Sequence, residues 1–467
     1  MIRSNHLSPS RRAVLAMLAS SGMGLAATRA TGSPPFTTLR ARPARSFLDS
    51  IGVVTTFPDR GQPLDKTIEM VRYCGFRWVR AGIEGLTTKG PTTVETMIEL
   101  HHQTGALLSW GLVSGGSDLD RLIETGLVLA RNGALLAFEG NNEPNNWGVT
   151  YHGEKGGGKG SWLPVARLQR DLYSAVKNHP ELRDYPVWTI SEPGAQTDNV
   201  GLQFLEIPIG ADTQMPDGTR YADFANVHNY IFHQNSPDPA DNKVWDAADP
   251  TRASRVDGLF GNFGRSWRKH FQGYSDMDLT LLPRVTTETG VRVSDKVPEA
   301  QHGMHLMNLY LAQFVRGYAH TSVYILRDRT DEAGNQTYGF YAPDYSPRLA
   351  ARYLHNLTTI LADPAPRTPR GSAASASAQV DLFLEGQTPL VHDLLLRRSD
   401  GMFQYIIWGE MLRGSAETVL HFAMPPESLG IYDPTSGTEP IHIARYPDAI
   451  PLTLSDHPLV VQFTAPA

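Results

Sequence analysis

Short apolar runs recur eight times between residues 51 and 326, and stretches whose apolar positions have helical spacing lie between them. This alternation restricts the chain more than any other feature of it. The runs are Ile51–Thr56, Trp78–Gly82, Ala106–Leu112, Leu135–Glu139, Val187–Ser191, Ala225–Asn229, Arg284–Glu288 and Val323–Leu326. The helix-like stretches include Thr67–Cys74, Thr92–Gln103, Ser117–Arg131, Leu163–Asn178 and Pro298–Tyr318. A strand that feeds a helix and then another strand builds βαβ units and a parallel sheet. Eight such units in roughly 300 residues fit a closed (β/α)8 TIM barrel over 46–361, an α/β fold. An open doubly wound sheet is the competitor. No G-x-G-x-x-G follows the first run, however, and no G-x-x-x-x-G-K-[ST] occurs to cradle phosphate.

The pattern changes after the helix-like Ser346–Leu361. Residues 362–377 are rich in Pro, Ala, Ser and Arg and read as a connector. The runs Val380–Leu384, Leu390–Arg397, Phe403–Trp408, Thr418–Phe422 and Leu452–Phe463 then follow with turn residues between them. Strands without helices over 378–467 predict a small C-terminal antiparallel β-sandwich, whose expected role is to brace the barrel. At the other end, Ser10-Arg11-Arg12-Ala13-Val14-Leu15 precedes a short apolar core and small residues up to Ala30. That order predicts an export signal of the twin-arginine type over 1–30, a linker over 31–45, and a periplasmic or secreted protein.

Lys+Arg total 42 and Asp+Glu 48, a net charge of -6, and this argues against a nucleic-acid partner. Cys74 is the lone cysteine, which excludes an internal disulfide framework and a thiolate-rich zinc site. No apolar run beyond the N-terminus is long enough to predict a membrane span. No H-E-x-x-H or EF-hand spacing points to a metal.

Two acidic segments sit where barrel chemistry sits, at the C-terminal ends of the strands. Phe138-Glu139-Gly140-Asn141-Asn142-Glu143-Pro144-Asn145 ends the fourth strand, and Val285-Thr286-Thr287-Glu288-Thr289-Gly290 ends the seventh. Hydrolysis of a glycoside needs two carboxyl groups flanking the scissile bond, one protonated and one ionised. Alone, Asn-Glu-Pro is commonly a turn, and Glu288 alone an exposed strand end; together they point to catalysis. Glu139, four residues before Glu143, reads as a buried partner, and Glu192-Pro193-Gly194 as a turn framing the cleft.

With Asn142-Glu143-Pro144 after strand four and a glutamate ending strand seven, the chain resembles clan A of the glycoside hydrolases over about residues 46–361. Asn-Glu-Pro-Asn and the appended sandwich are similar to family 39, with family 5 close to it. The resemblance implies a retaining enzyme with Glu143 as acid/base, Glu288 as nucleophile and Asn142 holding the sugar 2-hydroxyl. It implies further that Arg80 on strand two orients the nucleophile, that Tyr230 contacts it, and that His228 lines the sugar site. Arg80 as a structural ion-pair partner, for instance of Glu84, and His228 as a buried core histidine remain open at this level. Where many clan members place a tryptophan on strand eight, this chain has Tyr324 and then Arg327-Asp328-Arg329, an arginine-lined rim suited to an acidic or substituted sugar. Trp147, with Trp110 and Trp162, is a candidate platform for a sugar face. The expected partner is a poly- or oligosaccharide, with no cofactor. The alternatives are a transglycosylase using the same carboxylates, a catalytically dead carbohydrate-binding barrel, and a metal-dependent barrel hydrolase.

Overall fold

A computed structural model describes residues 35–55, 62–84, 86, 93–144, 146–157, 160–194, 220–231, 243–250, 282–330, 336–365 and 378–464. The expected export signal, the connector from residue 366 on, and the stretches 232–242 and 251–281 lie outside the described residues. The chain begins with two short strands, β1 (Thr37–Arg40) and β2 (Arg42–Pro43), and helix α1 (Ala44–Ser50). It then alternates β3 (Ile51–Val54), α2 (Leu64–Cys74), β4 (Trp78–Gly82), α3 (Val94–Thr104), β5 (Leu107–Gly111), α4 (Leu119–Arg131) and β6 (Leu135–Glu139). A hairpin, β7 (Val149–Tyr151) and β8 (Glu154–Gly156), is inserted before α5 (Leu163–Asn178). Next come β9 (Val187–Gly194), β10 (Phe224–Asn229), the one-turn α6 (Val244–Ala247), β11 (Arg284–Thr289), α7 (Glu299–Val315), β12 (Tyr318–Val323) and α8 (Leu349–Ile360).

Strands β3, β4, β5, β6, β9, β10, β11 and β12 form a closed parallel ring in chain order, with β12 returning to β3 through Thr321↔Ile51 and Val323↔Val53. Its helices pack outside. At the end of α2, Gly75 takes a left-handed φ of 77°, and a Cβ there would lie 2.7 Å from the Thr358 hydroxyl of α8. Only glycine meets both demands at low cost. Among the described residues no helix is long and apolar enough to cross a membrane.

The eighth strand lies earlier than the sequence predicts, at Tyr318–Val323 rather than Val323–Leu326, and the preceding helix ends at Val315. The reason is that β12 turns polar groups into the barrel: the His320 ring stands 5.7 Å from that of Trp78 and 5.6 Å from that of Trp188. A search for apolar runs passes over such a strand.

After the barrel come β13 (Gln379–Glu385), β14 (Val391–Arg397), β15 (Phe403–Gly409), β16 (Ala416–Phe422), β17 (Ser428–Tyr432), β18 (Pro440–Arg445), β19 (Ala449–Leu454) and β20 (Pro458–Phe463). They form two sheets, ordered β1-β13-β16-β19 and β18-β17-β20-β15-β14-β2. The expected run Leu452–Phe463 is two strands, broken at Ser455–His457 where the chain passes from one sheet to the other. The stretch expected as a linker contributes to both sheets: β1 pairs antiparallel with β13, and β2 pairs parallel with β14. Edge strands rich in Thr, Arg and Pro do not resemble core strands in sequence. Between the sheets lie Leu382, Leu395, Tyr405, Ile407, Leu420 and Val461. The opposite face of the second sheet, with Leu394, Leu396, Ile406, Trp408 and Val460, joins the barrel's own core. Buried Asn308 of α7 donates across this contact to the carbonyls of Gly409 (3.3 Å) and Asp456 (3.2 Å).

Candidate active site

Side chains of a strand alternate between its two faces, so inward positions come in steps of two and fill the barrel in layers. The lower layer is apolar: Trp78, Ala137, Trp188 and Val285 pack together, with the two indoles 5.6 Å apart and edge on. Two residues further along three of these strands the inward positions become Arg80, Glu139 and Thr287. They are polar, buried or nearly so, and joined by hydrogen bonds. The tryptophan layer closes the N-terminal end, leaving the polar layer as the floor of a cup that opens at the C-terminal ends.

Arg80 is the hub of that floor. Its Nη2 donates to Glu139 Oε1 at 2.6 Å and to Asn142 Oδ1 at 2.8 Å, and its Nη1 donates to Glu288 Oε2 at 2.8 Å. Burial works against its charge, but Glu139 and Glu288 more than offset it, so the guanidinium is held more firmly protonated than usual. The Tyr230 hydroxyl donates to the other oxygen of Glu288, and burial followed by the charge of Glu288 pushes that phenol well above its ordinary range. Both donors to Glu288 therefore stay donors across the working pH range.

Glu143 has different surroundings. Its backbone takes a left-handed φ of 42°, rare for a residue with a side chain. The turn is pinned: the Glu143 N–H donates to Ser191 O at 3.0 Å, and its carbonyl accepts from the N–H groups of Asn146 and Trp147 at 2.8 Å each. Its carboxyl meets His228 Nδ1 at 2.7 Å and accepts from Asn146 Nδ2 at 2.9 Å. Burial raises its pKa, against the smaller opposing effects of Asn146 and Arg80. One oxygen from Glu143, one from Glu288 and a ring nitrogen of His228 all lie within 4.8 Å of one another. Such a donor set has the composition of a cation site. Its oxygens, however, are already committed to Arg80, Tyr230 and Asn146, and a guanidinium sits beside Glu288 where a cation would compete.

Of the residues singled out in the sequence, Glu143, Glu288, Arg80, Asn142, His228 and Tyr230 thus share one hydrogen-bonded cluster. Arg80 is paired with Glu139 and Glu288 rather than with Glu84. Asn142 gives its oxygen to Arg80, while its amide nitrogen faces Ser114 Oγ at 3.4 Å. Trp147, 54% exposed, follows the turn and offers a free indole face. Trp110 and Trp162 are fully buried in apolar clusters and cannot serve as platforms. Tyr324 is the first residue beyond β12; its ring lies 6.5 Å from that of Tyr230, and its hydroxyl is engaged by Gln336 and by Arg329 Nη1 at 3.2 Å. The arginine-lined rim is not formed by Arg327, which donates to Pro343 O at 2.9 Å and lies over the Tyr345 ring.

Sequence reasoning passed over Asn146, Asn226, Thr287 and Tyr338. Half-buried Tyr338 stands edge on to Tyr230 (5.9 Å) and Tyr324 (5.6 Å). The step of two from Val285 would have placed Thr287 inside; Glu288 is the exception to that step. The register of β11 against β12 shifts between Thr286 and Thr289, and consecutive Thr287 and Glu288 both reach the cluster.

No protein-family model matches the chain, and no curated protein matches its sequence. Solved structures do share its architecture. One is a family 39 glycoside hydrolase from Bacteroides cellulosilyticus WH2, 12% identical, with a TM-score of 0.53 over 91% of this chain and 81% of that one. Another is the metagenome-derived CelM2, a bifunctional glucanase-xylanase, 9% identical, with a TM-score of 0.52 over 93% and 100%. A third is the alpha-L-arabinofuranosidase of Thermotoga maritima, 10% identical, with a TM-score of 0.51 over 91% and 99%. At such identities the likeness is one of fold alone, and it extends over more than nine-tenths of this chain, barrel and sandwich together.

Proposed function

We propose that the chain is an exported, retaining glycoside hydrolase that cleaves O-glycosidic bonds of a poly- or oligosaccharide. Glu288 attacks the anomeric carbon while Glu143 gives its proton to the departing oxygen. Water then displaces Glu288 and leaves its proton on Glu143. The observation that carries this reading is the pair of carboxyl groups in one cup with opposite surroundings. Glu288 has a guanidinium and a phenol as donors, while Glu143 is buried, with its pKa raised. Their oxygens, within 4.8 Å, fit the roughly 5–5.5 Å class of carboxyl separation that suits a nucleophile better than the wider class that admits water. Arg11-Arg12 supports export. The glycosidase activity of the three structures of like fold agrees with the reaction class.

The test is product release from a panel of plant and bacterial polysaccharides by wild type, Glu143→Ala and Glu288→Ala, with activity also followed in cytoplasmic and exported fractions. Activity should fall by about 10³ or more in the Glu288 variant. Azide should rescue the Glu143 variant and give a glycosyl azide of retained configuration. An active wild type whose rate survives both changes would sink the assignment.

A further inference from the structure

Buried His228 has a partner on each ring nitrogen: Nδ1 lies 2.7 Å from Glu143 Oε1, and Nε2 3.1 Å from the Thr287 hydroxyl. A neutral imidazole carries one proton, so the nitrogen that holds it decides whether the ring donates to Glu143 or accepts from it. The choice is made on the far side of Thr287. Its Oγ1 lies 2.9 Å from Glu139 Oε1 and 3.0 Å from Asn226 Oδ1. The Asn226 amide cannot be turned round, because the Thr287 backbone N–H donates to Oδ1 at 3.1 Å while Nδ2 donates to Glu139 at 3.3 Å. Glu139, ion-paired with Arg80, offers only lone pairs. The single hydroxyl proton of Thr287 therefore goes to one of these two acceptors. Towards His228 the hydroxyl presents lone pairs alone.

We infer that Glu139, Asn226 and Thr287 hold His228 as its Nε2–H tautomer, so that Nδ1 accepts a hydrogen bond from the Glu143 carboxyl O–H and the acid stands protonated before substrate arrives. The inference rests on Glu143 being the acid/base. Thr287 is a positioning residue, acting through the ring. The arrangement serves both half-reactions. Once Glu143 has passed its proton to the departing oxygen, its carboxylate faces the Nδ1 lone pair, and that opposition favours recapture of a proton from the incoming water. The charged and titratable groups around the pair are Arg80 on β4, Glu139 on β6, Tyr230 just after β10 and Glu288 on β11. Burial is the largest influence on both members: it raises Glu143 and lowers His228 to about 4, which keeps the ring from becoming a double donor.

The tautomer can be read without activity. The full chain labelled with nitrogen-15 histidine holds 16 histidines, so His228 is identified by difference from a His228→Asn sample. Long-range proton–nitrogen correlations should show Nδ1 unprotonated and Nε2 protonated in wild type and Thr287→Ser, and the balance shifted to Nδ1–H in Thr287→Val. A protonated Nδ1 in wild type overturns the inference. In kinetics, the loss of kcat/KM on the alkaline side should move down by about one pH unit in Thr287→Val, the size of one hydrogen bond's bias on a carboxyl, and stay in place in Thr287→Ser. A uniform fall with the limb unmoved would make Thr287 merely structural and overturn its role. If no glycoside is cleaved, the functional reading fails, while the wild-type spectrum still decides the tautomer.

Discussion

Arg80 is the residue at which stability and the proposed chemistry can be tested together. It faces the buried carboxylate of Glu139, 1% exposed, and the more accessible Glu288 with different nitrogens of one rigid fork. Arg80→Gln leaves Glu139 buried without its counter-charge, at a cost of about 3–5 kcal/mol. It also removes a fixed donor from Glu288, for which a loss of about 10²–10³ in kcat is expected. The two effects separate in the double variant Arg80→Gln/Glu139→Gln. Neutralising both partners should restore most of the stability in urea unfolding, while kcat stays at the single variant's level. Recovery of kcat in the double variant would reduce Arg80 to a structural role.

At the scale of elements, what could be read in the sequence and what could not divide along one physical line. Strands with adjoining apolar residues, such as Leu135–Glu139 and Trp78–Gly82, show as runs even though Glu139 and Arg80 turn inward, and they bring Arg80 and, four residues past Glu139, Glu143 within reach of a reader. Strand β12 hides because it presents His320 and Ser322 rather than apolar side chains, and with it the position of Tyr324 shifts. Thr287 and Asn226 hide for another reason: each is an ordinary polar residue until the register brings it against His228 or Glu139. The edge strands β1 and β2 hide because edges are kept polar. Leu39 of β1 pairs with Val380 and packs against the sandwich core. Leu39→Asp should therefore cost about 1–3 kcal/mol, which for a chain of this size is a drop of a few degrees in Tm. A linker residue would tolerate the change, so an unaltered Tm in thermal unfolding would restore the reading of this stretch as a tether.

On the scale of the whole molecule, barrel and sandwich share a continuous core, and four histidines enclosed by the fold sit at separate points of it. His228 lies in the cup, His302 on α7, His320 on β12 against Trp78 and Trp188, and His392 in the sandwich, where its ring stacks at 4.0 Å on Trp245 from the segment after β10. Burial, before any other influence, lowers each to about 4. In the unfolded chain a histidine takes up its proton near pH 6.5, whereas in the fold these four resist until about pH 4. Between those values the unfolded state binds more protons, so stability falls as pH falls and flattens once the folded rings also charge. Four groups set a slope of up to about 5 kcal/mol per pH unit in that window, a large share of a typical total of roughly 5–15 kcal/mol. Glu143, Asp328 and Asp393 work the other way, since burial raises their pKa values and the fold holds protons that the unfolded chain releases, but their ordinary values lie at the bottom of this window. Urea unfolding at pH 7, 6 and 5 should therefore show a steep loss of stability, with the barrel and sandwich signals falling together. Constant stability down to pH 5 would mean that these rings find protons or partners in the fold, and would remove burial as the source of acid sensitivity.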